Sequence, residues 1–237
     1  MKILGFQKQS LIEYPGRISA VVFLGGCNLR CQFCYVPHLV LPEEIEKQKE
    51  IPQKEIFSFL KERRNFLEAV AVSGGEPTIN KDLPDFIRKI KELGYLVELE
   101  TNGTNSKMIK YLIEKKLVDY LAMDIKHRLD NFEKYKKITG GVLTKKMLEN
   151  IKKSAKILNS GRVDFEFRTT IMKEFHQKED ILEICREIQG AKIYYLQNYQ
   201  KNKTISGKNF TPFPENEIEE IVKEGQKFVN VKYRKYL

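Results

Sequence analysis

The sequence predicts an α/β fold, an incomplete (β/α)6 TIM-type barrel of parallel strands, on three observations. Short apolar runs alternate with longer amphipathic stretches, the rhythm of strand–helix–strand units in a parallel sheet. Several runs are apolar nearly throughout, as in strands covered on both faces. Cys, Gly, Asn, Glu, Asp and Lys cluster where the runs end, and strands of such folds carry their active residues at those ends.

Taken in order, ISAVVFL (18–24) reads as a buried strand and IPQKEIFSFLKERRNFL (51–67) as the helix after it. AVAVSG (69–74) precedes a helix over 83–93, and YLVELET (95–101) precedes one near 106–116. YLAMDIK (120–126) leads through a polar loop to a helix near 144–159. VDFEFRTTI (163–171) and KIYYLQN (192–198) precede helices near 178–189 and 215–227. Six strands thus alternate with six helices, and VNVKYRKYL (229–237) is a candidate short last strand. Right-handed crossovers allow a doubly wound sheet as well as an incomplete barrel, and both gather their site at the C-terminal strand ends. No linker, repeat or low-complexity stretch divides the chain. Residues 1–237 are therefore expected to form one domain, with a cysteine-bearing loop at 25–38 and a C-terminal loop and helix, about 198–237, facing a partner.

The net charge is +10, from 42 Lys and Arg against 32 Asp and Glu. The two signs mix along helix faces, as in KERRNFLE and KKSAKIL, so the charge reads as a solvated surface and does not favour nucleic acid. It suits an acidic protein partner or an anionic cofactor equally. No apolar run reaches the roughly 18 residues of a membrane span. The first 17 residues are too polar for a signal peptide, and a cytoplasmic protein without membrane contact is expected.

Three of the four cysteines, Cys27, Cys31 and Cys34, lie within eight residues and directly follow the first strand. In a reducing compartment such clustering marks metal ligands more often than disulfides. Three thiolates suit an iron–sulfur cluster or zinc. With His38 as a fourth ligand, a closed zinc site fits the spacing. A [4Fe–4S] cluster held wholly by protein takes four cysteines, so three would leave one iron for a substrate or cofactor. Cys185, in ILEICREI, shares a helical face with Ile181, Ile184 and Ile188 and reads as a core thiol.

The segment CNLRCQFC resembles the Cys-x3-Cys-x2-Cys signature of the radical S-adenosylmethionine (SAM) superfamily, including an aromatic residue, Phe33, before the last cysteine. The resemblance implies a [4Fe–4S] cluster on Cys27, Cys31 and Cys34 whose open iron chelates SAM. The reduced cluster would cleave SAM to methionine and a 5′-deoxyadenosyl radical that abstracts a hydrogen atom. Other strand ends fit the same family. Ser73-Gly74-Gly75-Glu76-Pro77 resembles the GGE motif, implying that Gly74, Gly75 and Glu76 meet the methionyl amino group; read alone, it is turn chemistry. Glu100-Thr101-Asn102-Gly103 resembles the motif that reaches the ribose, where Asp is commoner than Glu100; a helix N-cap is the competing role for Thr101 or Asn102. Asp124-Ile125-Lys126 resembles the Asp-x-Lys motif, which brings Lys126 near the carboxylate and ribose. By the same analogy Glu100 and Asp124 would share a monovalent cation, since facing carboxylates otherwise repel. Arg168 is expected to pair with the SAM carboxylate, or to form a structural salt bridge. Gln197 and Asn198 are candidates for the adenine edge. His127 follows the Asp-x-Lys segment and is not counted among the pocket residues, and His176 reads as a solvated loop residue.

The run Ser10-Leu11-Ile12-Glu13-Tyr14-Pro15-Gly16 leading to VVFLGGCN resembles the start of the anaerobic ribonucleoside-triphosphate reductase activating proteins, which usually carry Asp at position 13. CYVPHLVLPEE and LQNYQKNKTISGKNFTPFPENEIEEI resemble later stretches of that family. The resemblance implies an oxidoreductase that installs a glycyl radical on a partner, anaerobic ribonucleotide reductase, with reduced flavodoxin or ferredoxin as electron donor. Three rivals differ in class. One is a radical SAM enzyme acting on a small molecule, like the short 7-carboxy-7-deazaguanine synthases; another modifies RNA. The third is a zinc-bearing binding module.

Overall fold

The structure, a computed structural model, describes residues 1–235. One eight-stranded sheet runs in sequence order: β1 (Ile3–Ser10), β2 (Ser19–Leu24), β3 (Ala69–Gly74), β4 (Leu96–Thr101), β5 (Tyr120–Asp124), β6 (Asp164–Ile171), β7 (Tyr194–Asn198) and β8 (Val231–Tyr233). β1 is antiparallel to β2, and β2 to β8 are parallel throughout. A doubly wound sheet reverses its strand order at a switch point. This sheet never does, so the barrel alternative holds. Among the described residues β1 pairs with β2 and β8 with β7, leaving the barrel open between them.

The helices are α1 (Pro37–Val40), α2 (Pro42–Ile45), α3 (Gln53–Glu62), α4 (Leu83–Glu92), α5 (Ser106–Glu114), α6 (Phe132–Ile138), α7 (Lys145–Asn159), α8 (Lys178–Glu187) and α9 (Glu215–Gly225). The six expected helices are α3, α4, α5, α7, α8 and α9. Each buries a stripe at helical spacing, as Leu83, Phe86, Ile87 and Ile90 do on α4. These stripes and the outward strand residues Val70, Val72, Val97, Leu99, Leu121 and Phe167 belong to one hydrophobic cluster, with Cys185 fully buried in it.

Beyond the six strands and six helices expected, the described residues add β1, the candidate last strand β8, and the short helices α1, α2 and α6. β1 is a half-exposed edge strand whose ILGFQKQS lacks a buried strand's apolar run. β8 confirms the last strand over three residues; Tyr236 and Leu237, the end of that expected segment, lie outside the described residues. α6 buries only Tyr135 and Ile138 of seven residues, too little for a visible stripe.

The inner face of the barrel is polar. Glu98 and Glu100 alternate with outward Val97 and Leu99, and Glu166 and Arg168 with Phe165 and Phe167. Glu166 takes a bidentate pair from Arg234, both bonds 2.8 Å, and a hydroxyl bond from Tyr120 at 2.9 Å. The loop between β1 and β2 packs Tyr14 against Tyr120, ring centroids 5.7 Å apart, at the start of β5. The Ser10–Gly16 motif therefore closes the end of the barrel away from the cysteines, with Leu11 and Ile12 left 68% and 75% exposed.

Glu98 is 1% exposed, and its Oε2 has no hydrogen-bond partner. Burial, then the charge of Glu100, pushes its carboxyl well above the usual 4.5. The native state thus keeps a proton that the unfolded chain releases above that value, so stability falls as pH rises through the interval. Glu98→Gln is expected to raise the melting temperature at neutral pH. The gain should shrink towards zero as pH falls below 4.5. A gain independent of pH in thermal melts would contradict this account.

Candidate functional site

The cysteine loop leaves β2 at the end where the other strand-end motifs gather, and backbone groups hold it. Gly26 N–H donates to the Leu39 carbonyl, and the Gly26 carbonyl accepts from Glu76 N–H, each at 2.8 Å. A Cβ on Gly75 would fall on that Gly26 carbonyl oxygen, and one on Gly74 (φ 119°) on the Leu24 backbone. The two glycines of the GGE motif are thus the condition for the approach of the two loops.

The C-terminus of α6 supports the other flank. Arg30 N–H donates to the Thr139 carbonyl at 3.2 Å, Gln32 N–H to Ile138 at 3.0 Å, and the Gln32 amide to Lys137 at 2.8 Å. A helix leaves its last carbonyls without internal donors, and the cysteine loop supplies three. From the far end of the chain, Ile205 N–H donates to the Cys34 carbonyl at 2.8 Å and Ser206 Oγ to Gln32 at 2.9 Å. Asn28 completes the fixation: its amide donates to Thr104 Oγ1 at 2.8 Å and accepts from Asn102 at 3.0 Å.

Glu76 is fully buried. It accepts from Thr78 N–H at 3.0 Å, Thr101 Oγ1 at 2.8 Å, Asn102 N–H at 2.6 Å and the Thr78 hydroxyl. Burial pushes its carboxyl up, and the four donors oppose that. The sequence reading pointed this side chain at the SAM amino group. The structure uses it to clamp the end of β3 to the end of β4, while Gly75 N–H donates to the Leu24 carbonyl at 2.8 Å. Nor do Thr101 and Asn102 cap α5: that cap is Asn105, whose side chain accepts from Met108 N–H at 3.2 Å.

Arg168 forms the salt bridge given above as its alternative. Its Nη1 lies 2.6 Å from Glu100 and its Nε 3.0 Å from Asp124. The guanidinium therefore stands between the two carboxylates expected to share a cation. Ser73 also donates to Glu100, a contact the sequence did not reveal because it joins neighbouring strands. Lys126 Nζ reaches Asp124 at 3.1 Å and lies 5.6 Å from the centre of the Phe33 ring. Burial works against its charge, but Asp124 and then Cys31 outweigh burial and raise its pKa. Gln197 is buried near the end of β7, in register with Thr170. Asn198 is committed to the Phe213 backbone by bonds of 2.8 and 2.9 Å, which removes it from the adenine candidates.

Burial pushes Cys27 up to about 11 and Cys31 up to about 12, and raises Cys34; at all three, Lys126 opposes the shift. Among the described residues no three His, Cys, Asp or Glu side chains converge as ligands of one ion. A zinc ion with Zn–S bonds of about 2.3 Å would need sulfurs about 3.8 Å apart. A cubane takes one thiolate at each iron corner and needs no such convergence. The arrangement therefore offers no preformed single-ion site, and it sets three thiols in one loop beside one ammonium.

The sequence pattern of the Radical SAM superfamily matches residues 21–188. This chain belongs to the radical SAM superfamily. A protein of Methanocaldococcus jannaschii named as a "putative glycyl-radical enzyme activating enzyme" is 33% identical, over 96% of this chain and 93% of its own length. A "probable GTP 3',8-cyclase" of Saccharolobus islandicus is 34% identical over 53% of this chain and 39% of its own. Among solved structures, Streptococcus suis SuiB with its precursor peptide SuiA superposes with a TM-score of 0.69 at 18% identity, over 91% of this chain. This chain spans about half of SuiB, 48% of its length. A radical SAM methyltransferase from Sphaerobacter thermophilus gives 0.68 at 14% identity, over 94% of this chain and 68% of its own. These likenesses place the fold among radical SAM enzymes, and family membership implies SAM and a [4Fe–4S] cluster.

Gly75→Ala is expected to lower stability by about 1–3 kcal/mol, the usual cost of forcing an atom into a packed site. Urea unfolding measures it, and an unchanged midpoint would mean that the Gly26–Gly75 approach is slack.

Proposed function

We propose that this radical SAM enzyme is an activating enzyme that installs a glycyl radical on a partner, anaerobic ribonucleoside-triphosphate reductase. The observation that carries the reading is the extent of the likeness. It runs through 96% of this chain and 93% of the M. jannaschii protein, whereas the cyclase likeness covers about half of this chain. The Ser10–Gly16 motif supports the same branch.

Cys27, Cys31 and Cys34 hold the cluster, their loop fixed by the bonds from Glu76, α6 and Ser206. A bound cluster would supply the electron for SAM cleavage, with a glycine of the partner as the hydrogen donor. The chain's own residues bind and orient. The Gly74-Gly75 backbone and Lys126 receive the methionyl end, with Glu76 as the clamp behind the turn. Glu100, Thr101 and Asn102 lie on the ribose side, Gln197 on the adenine side, and Phe33 packs beside the last cysteine. Arg168 keeps Glu100 and Asp124 in place and, together with Lys126 on Asp124, balances their charge, which removes the electrostatic need for a monovalent cation. Reduced flavodoxin or ferredoxin is the electron donor in this reading.

Anaerobic reconstitution tests the ligands: alanine at Cys27, Cys31 or Cys34 should abolish iron and sulfide uptake, whereas Cys185→Ala should load fully. The reduced enzyme with SAM and the reductase should give a glycyl radical by paramagnetic resonance. Zinc in place of iron, or turnover of GTP or a deazaguanine precursor with no protein partner, would refute the assignment. Replacing potassium and sodium by tetramethylammonium is expected to leave SAM cleavage unchanged; a collapse of the rate would restore the cation.

A further inference from the structure

The backbone of Lys126 is held from two sides. Its N–H donates to Tyr135 Oη on α6 at 3.2 Å, and its carbonyl is 3.0 Å from His176 Nε2. His127, the next residue, places its own Nε2 3.0 Å from the carbonyl of Phe175, the residue before His176. Each imidazole therefore binds the carbonyl that precedes the other, and the rings stack with centroids 5.2 Å and planes 17° apart. His127 Nδ1 accepts from Arg128 N–H at 2.8 Å, and His176 Nδ1 from Met172 N–H at 3.4 Å. Acceptance at Nδ1 puts the one proton of each neutral ring on Nε2, where it faces the carbonyl.

Both rings are fully buried, so the expected solvated loop histidine at 176 is corrected. Burial pushes His127 down and His176 down to about 4. The nearby carboxylate is Asp180, 3.9 Å from His127 Nε2, but Lys134 at 2.8 Å and Arg128 at 3.7 Å answer its charge. Gln177 N–H also donates to Asp180, at 3.1 Å. The imidazoles are thus left as neutral donors.

We propose that His127 and His176 are positioning residues, a clasp between the loops after β5 and β6 that sets Lys126 against the cysteine loop. The proposal rests on the cluster-and-SAM reading of the site. Lys126 is a cation that acts on all three thiols, and its reach over Phe33 depends on where its backbone stands. The same clasp fixes Phe175, which packs on Phe210, ring centroids 5.4 Å apart, in a small apolar cluster against which Phe33 also packs. One device therefore sets both the ammonium beside the thiols and the apolar support behind the last cysteine. A histidine pair suits this because each ring offers a donor and an acceptor in a fixed plane, so it can tie two backbones at once.

A pair of variants tests the donor. The amide nitrogen of His176→Gln reaches about as far as Nε2, while that of His176→Asn falls one bond short. In anaerobically reconstituted protein both are expected to carry wild-type iron. The Asn variant should bind SAM about tenfold or more weakly, as removal of an outer support typically does, and the Gln variant close to wild type. The same pair at His127 repeats the test should His176→Asn fail to fold. On the iron-free chain, proton NMR should show His176 untitrated down to about pH 5 and His127 titrating below its ordinary value. Equal SAM binding by the Asn and Gln variants, or titration of either ring near its ordinary value, overturns the clasp alone. Wild-type protein that loads no iron overturns the site reading and the clasp's purpose with it.

Discussion

The Gly26 carbonyl accepts from Glu76 N–H across a gap that admits no Cβ on Gly75, and the rim is arranged around that approach. The cysteine loop has little regular structure of its own. Its place is set by what its backbone can bond to, and each support is a group that would otherwise lack a partner. The end of α6 has spare carbonyls, and the loop has spare amides. The Glu76 carboxylate takes two backbone amides and two hydroxyls, fixing the turn that fixes the loop. A buried carboxylate with that many donors is a strong tie, because losing any of them leaves charge unsolvated.

Charge inside the barrel follows a second rule. A barrel lined by carboxylates must pair, protonate or hydrogen-bond each of them. Glu100 and Asp124 share Arg168, Glu166 takes Arg234, Asp124 also takes Lys126, and Glu98 is left to keep its proton. Lys126 belongs to both worlds, since its ammonium answers Asp124 and the three thiols. The order of these pairs along the strands places the uncompensated carboxyl of Glu98 two residues before Glu100, on the side of the barrel away from the thiols.

The parallel core was legible because its strands are apolar runs and its helices carry periodic stripes, both local signals. β1 was not, since an edge strand with one covered face and three exposed residues does not stand out from a polar start. α6 hides for the same reason: seven residues bury two side chains, yet its end carries the cysteine loop. In the site, motifs were legible and pairings were not. Cys27, Cys31, Cys34, Gly74 and Gly75 signal through spacing. Half the donors to Glu76 and all the partners of Asn28 and Arg168 lie far away in sequence, and the histidine clasp joins residues about fifty positions apart in the chain. Position 176 looks solvated in the sequence because Lys173, Glu174, Gln177 and Lys178 surround it, whereas its neighbours in space are Met172, His127 and the Lys126 carbonyl.

The C-terminal segment shows how one stretch can serve two neighbours. It was expected to face a partner, yet its middle is bonded inward. Asn198 holds Phe213, Glu174 holds Thr211, and Tyr199 and Phe210 pack with Met172. These ties leave Ile205 and Ser206 to meet the carbonyls of Cys34 and Gln32. The segment is therefore a wall of the cysteine loop first. Its outward lysines, Lys201, Lys203 and Lys208, are exposed and bear on whatever approaches. Ile205 bonds to Cys34 itself and Ser206 to Gln32, so the far end of the chain and the last cysteine hold one another's backbone in place.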